Sequence, residues 1–178
     1  MRNLTDIITV AMEDIRKLLI AELSAQGHRN TGALEKSLSY EVKREGDGIV
    51  AVMTAFEYGL YVEFGVPASR IPYTPGGRKR GGKSKYIQGL VTFFSHKGLS
   101  PREALGAAFA TARKHKREGM PTRGSYAFSS NGRRTGFTQN TLEQYLPILA
   151  SKIGEGAGSI VELIIGRDLR LEPYKIAA

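Results

Sequence analysis

Glu41-Val42-Lys43 places a carboxylate and an ammonium two residues apart. On an extended segment both project from the same side, where an acid can hold a divalent cation and a lysine can steady a phosphate, as in many nucleases. Glu35 is the nearest second acid. The signal is weak, because alternating charge on a solvated strand produces the same pattern. The three histidines, His28, His96 and His115, stand at turns or in a run of charge. None has a carboxylate or a second histidine at ligand spacing. Gly81-Gly82-Lys83-Ser84 ends like a phosphate-binding loop, yet the first glycine of that loop is missing and no apolar strand leads into it. A serine elbow and a dinucleotide fingerprint are also missing, and the lack of cysteine excludes disulfides and thiolate chemistry. The expectation is a protein that is not an enzyme and needs no cofactor or metal.

The chemistry that remains is charge. Lys and Arg number 26 against 17 Asp and Glu, a net charge of +9 in 178 residues, which favours a polyanionic neighbour. Arg78, Lys79, Arg80, Lys83 and Lys85 crowd one glycine-rich stretch, and Arg133 and Arg134 lie in another. No recognition helix presents them to a groove, so contacts with nucleic acid would go to phosphates. No apolar run is long enough to span a membrane, and acids (Asp6, Glu13, Asp14) interrupt the amino-terminal apolar positions. Neither a membrane span nor a secretory leader is expected.

These residues need elements to hold them. Leu4, Ile7, Ile8, Ala11, Ile15, Leu18 and Leu19 recur at spacings of three and four, which predicts a long first helix over 4–23. Asn30 or Thr31 can cap a short turn at Ala33–Leu38. Tyr40 and Val42 alternate with polar residues, EGDG turns the chain, and IVAVMT returns it, which predicts a hairpin over 38–45 and 49–54. Residues 67–85 are rich in proline, glycine and basic side chains and read as an extended loop. A helix follows at 86–94. Ser100, Pro101 and Glu103 form a consistent start for another at 101–117. A second basic, glycine-rich loop covers 119–137, and a helix covers 139–153, with Pro147 expected to kink it or to mark its true start. SIVELII, 159–165, reads as a third strand. The expected fold is α+β in one domain, 1–178: a long amino-terminal helix and a small antiparallel sheet packed with helices, with long basic loops.

Thr54–Pro67, TAFEYGLYVEFGVP, concentrates aromatic residues beside acids. Tyr58, Tyr61, Val62 and Phe64 fit a short helix that Gly65 stops. Glu63 then needs either a buried partner or another subunit.

The order of these motifs resembles the head-to-tail joining, or tail-completion, family of tailed bacteriophages. Thr31, Gly32, Leu34 and Ser37 match its Thr-Gly-x-Leu-x-x-Ser segment, and Tyr58, Val62, Glu63, Phe64 and Gly65 match its Tyr-x-x-x-Val-Glu-Phe-Gly segment. The chain departs from the family in its basic arm around GGRKRGGKSK and in GMPTRGSYAF, which only roughly echoes a later family segment. The resemblance implies a structural virion component that forms a homo-oligomeric ring in the neck, between the portal or adaptor side and the tail side, after assembly in the host cytoplasm. It implies that Thr31, Gly32, Leu34, Tyr58, Tyr61, Glu63, Phe64 and Gly65 lie at subunit interfaces, with Glu63 held by backbone amides or by an arginine such as Arg70. Alternatively, Tyr58, Tyr61 and Phe64 close the intramolecular core. Non-specific contact with genomic DNA is a further expectation for the basic residues. The alternative function is a basic, sequence-nonspecific DNA-binding protein acting as a monomer or dimer.

Overall fold

Helix α1, Leu4–Ala25, buries Ile8, Ala11, Met12, Ile15, Leu19 and Leu23 along one stripe, as its three-and-four spacing requires. In the computed structural model the described residues are 4–75 and 84–154, with the side chains of 153 and 154 outside them. The third strand expected at 159–165 lies outside the described residues, as do Arg78, Lys79, Arg80 and Lys83. A short helix α2, Ala33–Ser37, leads into strands β1, Ser39–Glu45, and β2, Gly48–Thr54. The Thr31 hydroxyl accepts the Ala33 N–H at 3.3 Å, so Thr31 is the capping group at this turn.

The two strands pair antiparallel with Tyr40 opposite Met53, Val42 opposite Ala51 and Lys43 opposite Val50. Period-two alternation therefore turns Tyr40, Val42, Ile49, Ala51 and Met53 onto α1, and Val50 and Val52 outward. The last described helix, α6 (Phe137–Gly154), covers the other flank of α1 with Phe137, Tyr145 and Leu149. It starts two residues earlier than expected and runs through Pro147, which neither begins nor ends it. Burial of this kind contributes about 1.5–3 kcal/mol for each large apolar side chain. The Tyr145 hydroxyl donates to Asp14 at 3.0 Å and Lys152 reaches the same carboxylate at 3.3 Å, which fixes the rotation of α6 on α1.

A second, smaller apolar cluster belongs to α4, Lys85–His96, and α5, Pro101–Glu118. Ala104, Ala108 and Ala112 are fully buried at four-residue intervals, so the two backbones approach closely around Ile87. Both helices start as their sequences dictate. The Ser84 hydroxyl accepts the Ile87 N–H, and the Glu103 carboxylate accepts the Ser100 N–H at 3.0 Å. At the base of this pair the Tyr86 hydroxyl and His115 Nδ1 share a hydrogen bond at 2.7 Å, and Lys116 donates to the carbonyl of Ile71 at 3.2 Å.

The 119–137 segment is less open than a glycine-rich loop would be. It contains a 3-10 turn, Arg123–Phe128, and is tied to the end of α1. Ser130 N–H donates to Ala25 O at 2.8 Å, Gln26 Nε2 to Thr135 O at 3.0 Å, and Asn131 Nδ2 to the Glu22 carboxylate at 3.0 Å. Long-range polar bonds of this kind leave no periodic signature, so the sequence reads as a loop.

Candidate interaction surface

Helix α3, Gly59–Phe64, is a single turn and a half, far too short to persist alone. It is held from three sides. Gly59 is buried against Leu34, close enough that an added Cβ would stand 3.2 Å from Leu34 Cδ1, and the Ser37 hydroxyl accepts the Phe56 N–H at 3.0 Å. These contacts bring the 31–37 and 58–65 motifs together. The Glu63 carboxylate accepts the N–H of Thr138 at 2.8 Å and of Gln139 at 3.3 Å, while its carbonyl accepts the Gly136 N–H at 2.8 Å. Gly136, which precedes α6, has no side chain to cap it, so Glu63 supplies the carboxylate from 75 residues away. Of the partners open to Glu63, the backbone amides of its own chain hold it.

Gly65 closes the third side. Its φ of 72° lies in the left-handed region, and an added Cβ would stand 2.4 Å from the carbonyl oxygen of Met120. Glu63 and Gly65 thus position the turn, and Leu34, buried in the main core, supports it from beneath without lining a surface. The exposed members are Thr31, Tyr58, Tyr61 and Phe64, with Phe64 at 70%. Phe56 joins them, its ring 5.8 Å from that of Tyr58. These aromatics do not close the intramolecular core. A rigid turn carrying exposed aromatic rings is suited to binding another macromolecule.

The basic residues divide. Lys85 and Arg133 are exposed. Arg134 is turned inward: its guanidinium donates to Gln26 O, its carbonyl accepts His28 Nε2–H at 3.1 Å, and burial lowers its affinity for a proton. Burial also holds the His28 ring below the usual imidazole range, with the Arg134 charge acting the same way. Glu41 and Lys43 bond to each other at 2.9 Å on the exposed sheet face, and Glu35 lies 3.8 Å from Arg29. Among the described residues no three acids or histidines are grouped to hold a metal. No described helix is long and apolar enough to cross a membrane.

The distribution of charge is sharper than the total conveys. Residues 64–142 carry fifteen Lys and Arg against two acids, Glu103 and Glu118; the rest of the chain carries eleven against fifteen. Both of those acids are already engaged, Glu103 with Ser100 and Glu118 with Arg117 at 2.9 Å and the Arg123 N–H. The α4–α5 pair and its flanking segments are therefore strongly basic, and the layer of α1, the hairpin and α3 is acidic. This asymmetry is legible from the sequence when charge is counted over windows instead of over the whole chain. Compared with protein-family models, with curated proteins and with solved structures, the chain matches none.

Proposed function

We propose that the protein is a structural subunit of a homo-oligomeric ring at the head–tail junction of a tailed bacteriophage, joining the portal or adaptor side to the tail. The observation that carries this reading is the rigid turn α3, which displays Tyr58, Tyr61 and Phe64 to solvent while Glu63 and Gly65 fix its backbone. The ordered motif pair at 31–37 and 58–65 supports the same reading, and the two motifs pack against each other through Leu34 and Gly59. In this role the protein is not an enzyme and resides in the neck of the virion.

The test is the double variant Tyr61→Ser/Phe64→Ser. Both side chains are exposed, so its melting temperature should match that of the wild type, while its incorporation into tail-joined particles should fail. Normal joining by this variant overturns the reading. A second reading is favoured by the basic 64–142 region: sequence-nonspecific DNA binding as a monomer or dimer. Retention of DNA with a steep salt dependence, in a chain that never joins particles, selects it.

A further inference from the structure

Arg102, Gly106, Phe109, Arg113 and Arg117 are all exposed on α5 and follow one another at spacings of three and four. They form one outward stripe, opposite the buried stripe of alanines. Its composition works against the stability of the isolated helix. Arg102 sits in the first turn, where the helix dipole disfavours a cation, and the nearby Glu103 is taken up by Ser100. Among the described residues nothing stands within 4 Å of where a Gly106 Cβ would be, so no contact with them requires a glycine there. Phe109, the apolar centre of the stripe, keeps 36% of its surface exposed.

The outer face of the β1–β2 hairpin has the complementary layout. Val50 and Val52 are exposed, and on the adjoining strand Glu41 stands opposite Val52 while Glu45 stands opposite Gly48. Lys43, between the two glutamates, is bonded to Glu41, so β1 retains a net negative outer row. Arg102 and Arg113 lie about 16 Å apart along the helix. Glu41 and Glu45 lie about 13 Å apart along the strand. The reach of an arginine side chain covers the difference.

We propose that the outward stripe of α5 in one copy docks on the outer hairpin face of the next, with Phe109 over Val50 and Val52 and with Arg102 and Arg113 toward Glu41 and Glu45. Two different patches meet, so the contact is head-to-tail and generates a ring or an open filament. The joint rests on the ring reading and adds to it the surfaces that touch. An apolar centre with a charged rim is the usual anatomy of a specific interface, and the charge segregation of the chain favours a second copy as the occupant.

The test uses two full-length variants, Arg102→Glu/Arg113→Glu and Glu41→Arg/Glu45→Arg, with mass in solution measured up to about 1 mM, where weak association registers. A glutamate at 102 suits the helix dipole, so loss of association will not reflect a weakened helix. Each variant alone should associate at least about 100-fold more weakly than the wild type. An equimolar mixture should regain association, with the two chains alternating, because an arginine stripe then meets a glutamate hairpin at one joint and a glutamate stripe meets an arginine hairpin at the next. The chain carrying all four changes should regain the wild-type mass. A wild-type oligomer that survives both reversals overturns the joint and leaves the ring reading standing. A wild type that stays monomeric, both alone and with neck components, overturns both. Loss of DNA retention in the arginine variant at unchanged mass assigns the stripe to nucleic acid and overturns the joint.

Discussion

Val66 and Met120 exchange both of their backbone hydrogen bonds, Val66 N–H to Met120 O at 2.7 Å and Met120 N–H to Val66 O at 2.8 Å. Each is the middle residue of a Gly-x-Pro tripeptide that ends a helix, Gly65–Pro67 after α3 and Gly119–Pro121 after α5. The bridge lies where the chain leaves the core of α1, the hairpin and α6 for the basic α4–α5 pair, and where it returns. Both glycines have positive φ, and an added Cβ would meet Met120 O at 2.4 Å from Gly65 and Val66 O at 2.7 Å from Gly119. The obstacles are backbone atoms of the bridge itself.

Gly65→Ala and Gly119→Ala should therefore each lower stability by more than about 1 kcal/mol. Gly106→Ala, in open space on α5, should raise it by up to about 1 kcal/mol. Urea midpoints of the three variants separate these cases, and three equal midpoints would contradict the bridge geometry.

Glu63→Ala should cost about 1–2 kcal/mol, the usual loss for a helix cap, because the Thr138 and Gln139 amides then lose their acceptor. Hydrogen exchange should speed up at those two amides before the rest of α6. Unchanged exchange there would mean that water replaces the carboxylate at no cost.

The parts of the fold legible from sequence are those with a period or a local motif. The apolar stripe of α1, the alternation in Tyr40–Val42 and Ile49–Met53, and the Ser100–Glu103 start of α5 all depend on neighbours within a few positions. The aromatic turn at 58–65 is legible for the same reason. Out of reach are the pairing of Glu63 with Thr138 and of Arg134 with Gln26, contacts across 75 and 108 residues that no local pattern encodes. The α5 stripe of Arg102, Phe109 and Arg113 follows helical spacing, but spacing alone does not tell which of its residues stay exposed.

Acid should loosen both ends of the molecule through two histidines. Burial comes first among the causes that hold His28 and His115 below the usual imidazole range; Arg134 adds to it at His28, whereas at His115 Glu118 opposes it and Lys114 adds to it. The unfolded chain thus binds protons more readily at these sites, and their contribution to stability is present above the unfolded value near 6.5. It is lost as pH falls from there through the folded values. His115 shares a hydrogen bond with the Tyr86 hydroxyl, whose pKa burial pushes up to about 12. The urea midpoint should fall between pH 7.5 and 5.5, and His28→Gln/His115→Gln should flatten that fall. An identical slope in the variant would assign the acid sensitivity to carboxylates instead.

Arg133 and Arg134 are adjacent in sequence and should behave oppositely. The Arg133 side chain is exposed, and among the described residues only its backbone N–H is used, donating to Ser129 Oγ at 3.0 Å. The Arg134 guanidinium donates to the Gln26 carbonyl at the end of α1, and its partial burial means that truncation exposes a carbonyl acceptor left without its donor. Arg134→Ala should lower stability by about 1–3 kcal/mol. Arg133→Ser should leave it within about 0.5 kcal/mol. If the basic surface binds DNA, Arg133→Ser should also flatten the salt dependence of binding by roughly 0.9 in log-log slope, because one phosphate fewer is neutralised, while Arg134→Ala, compared where it is fully folded, should not. A destabilised Arg133 variant together with a stable Arg134 variant would reverse the assignment of which arginine clamps the 119–137 segment to α1.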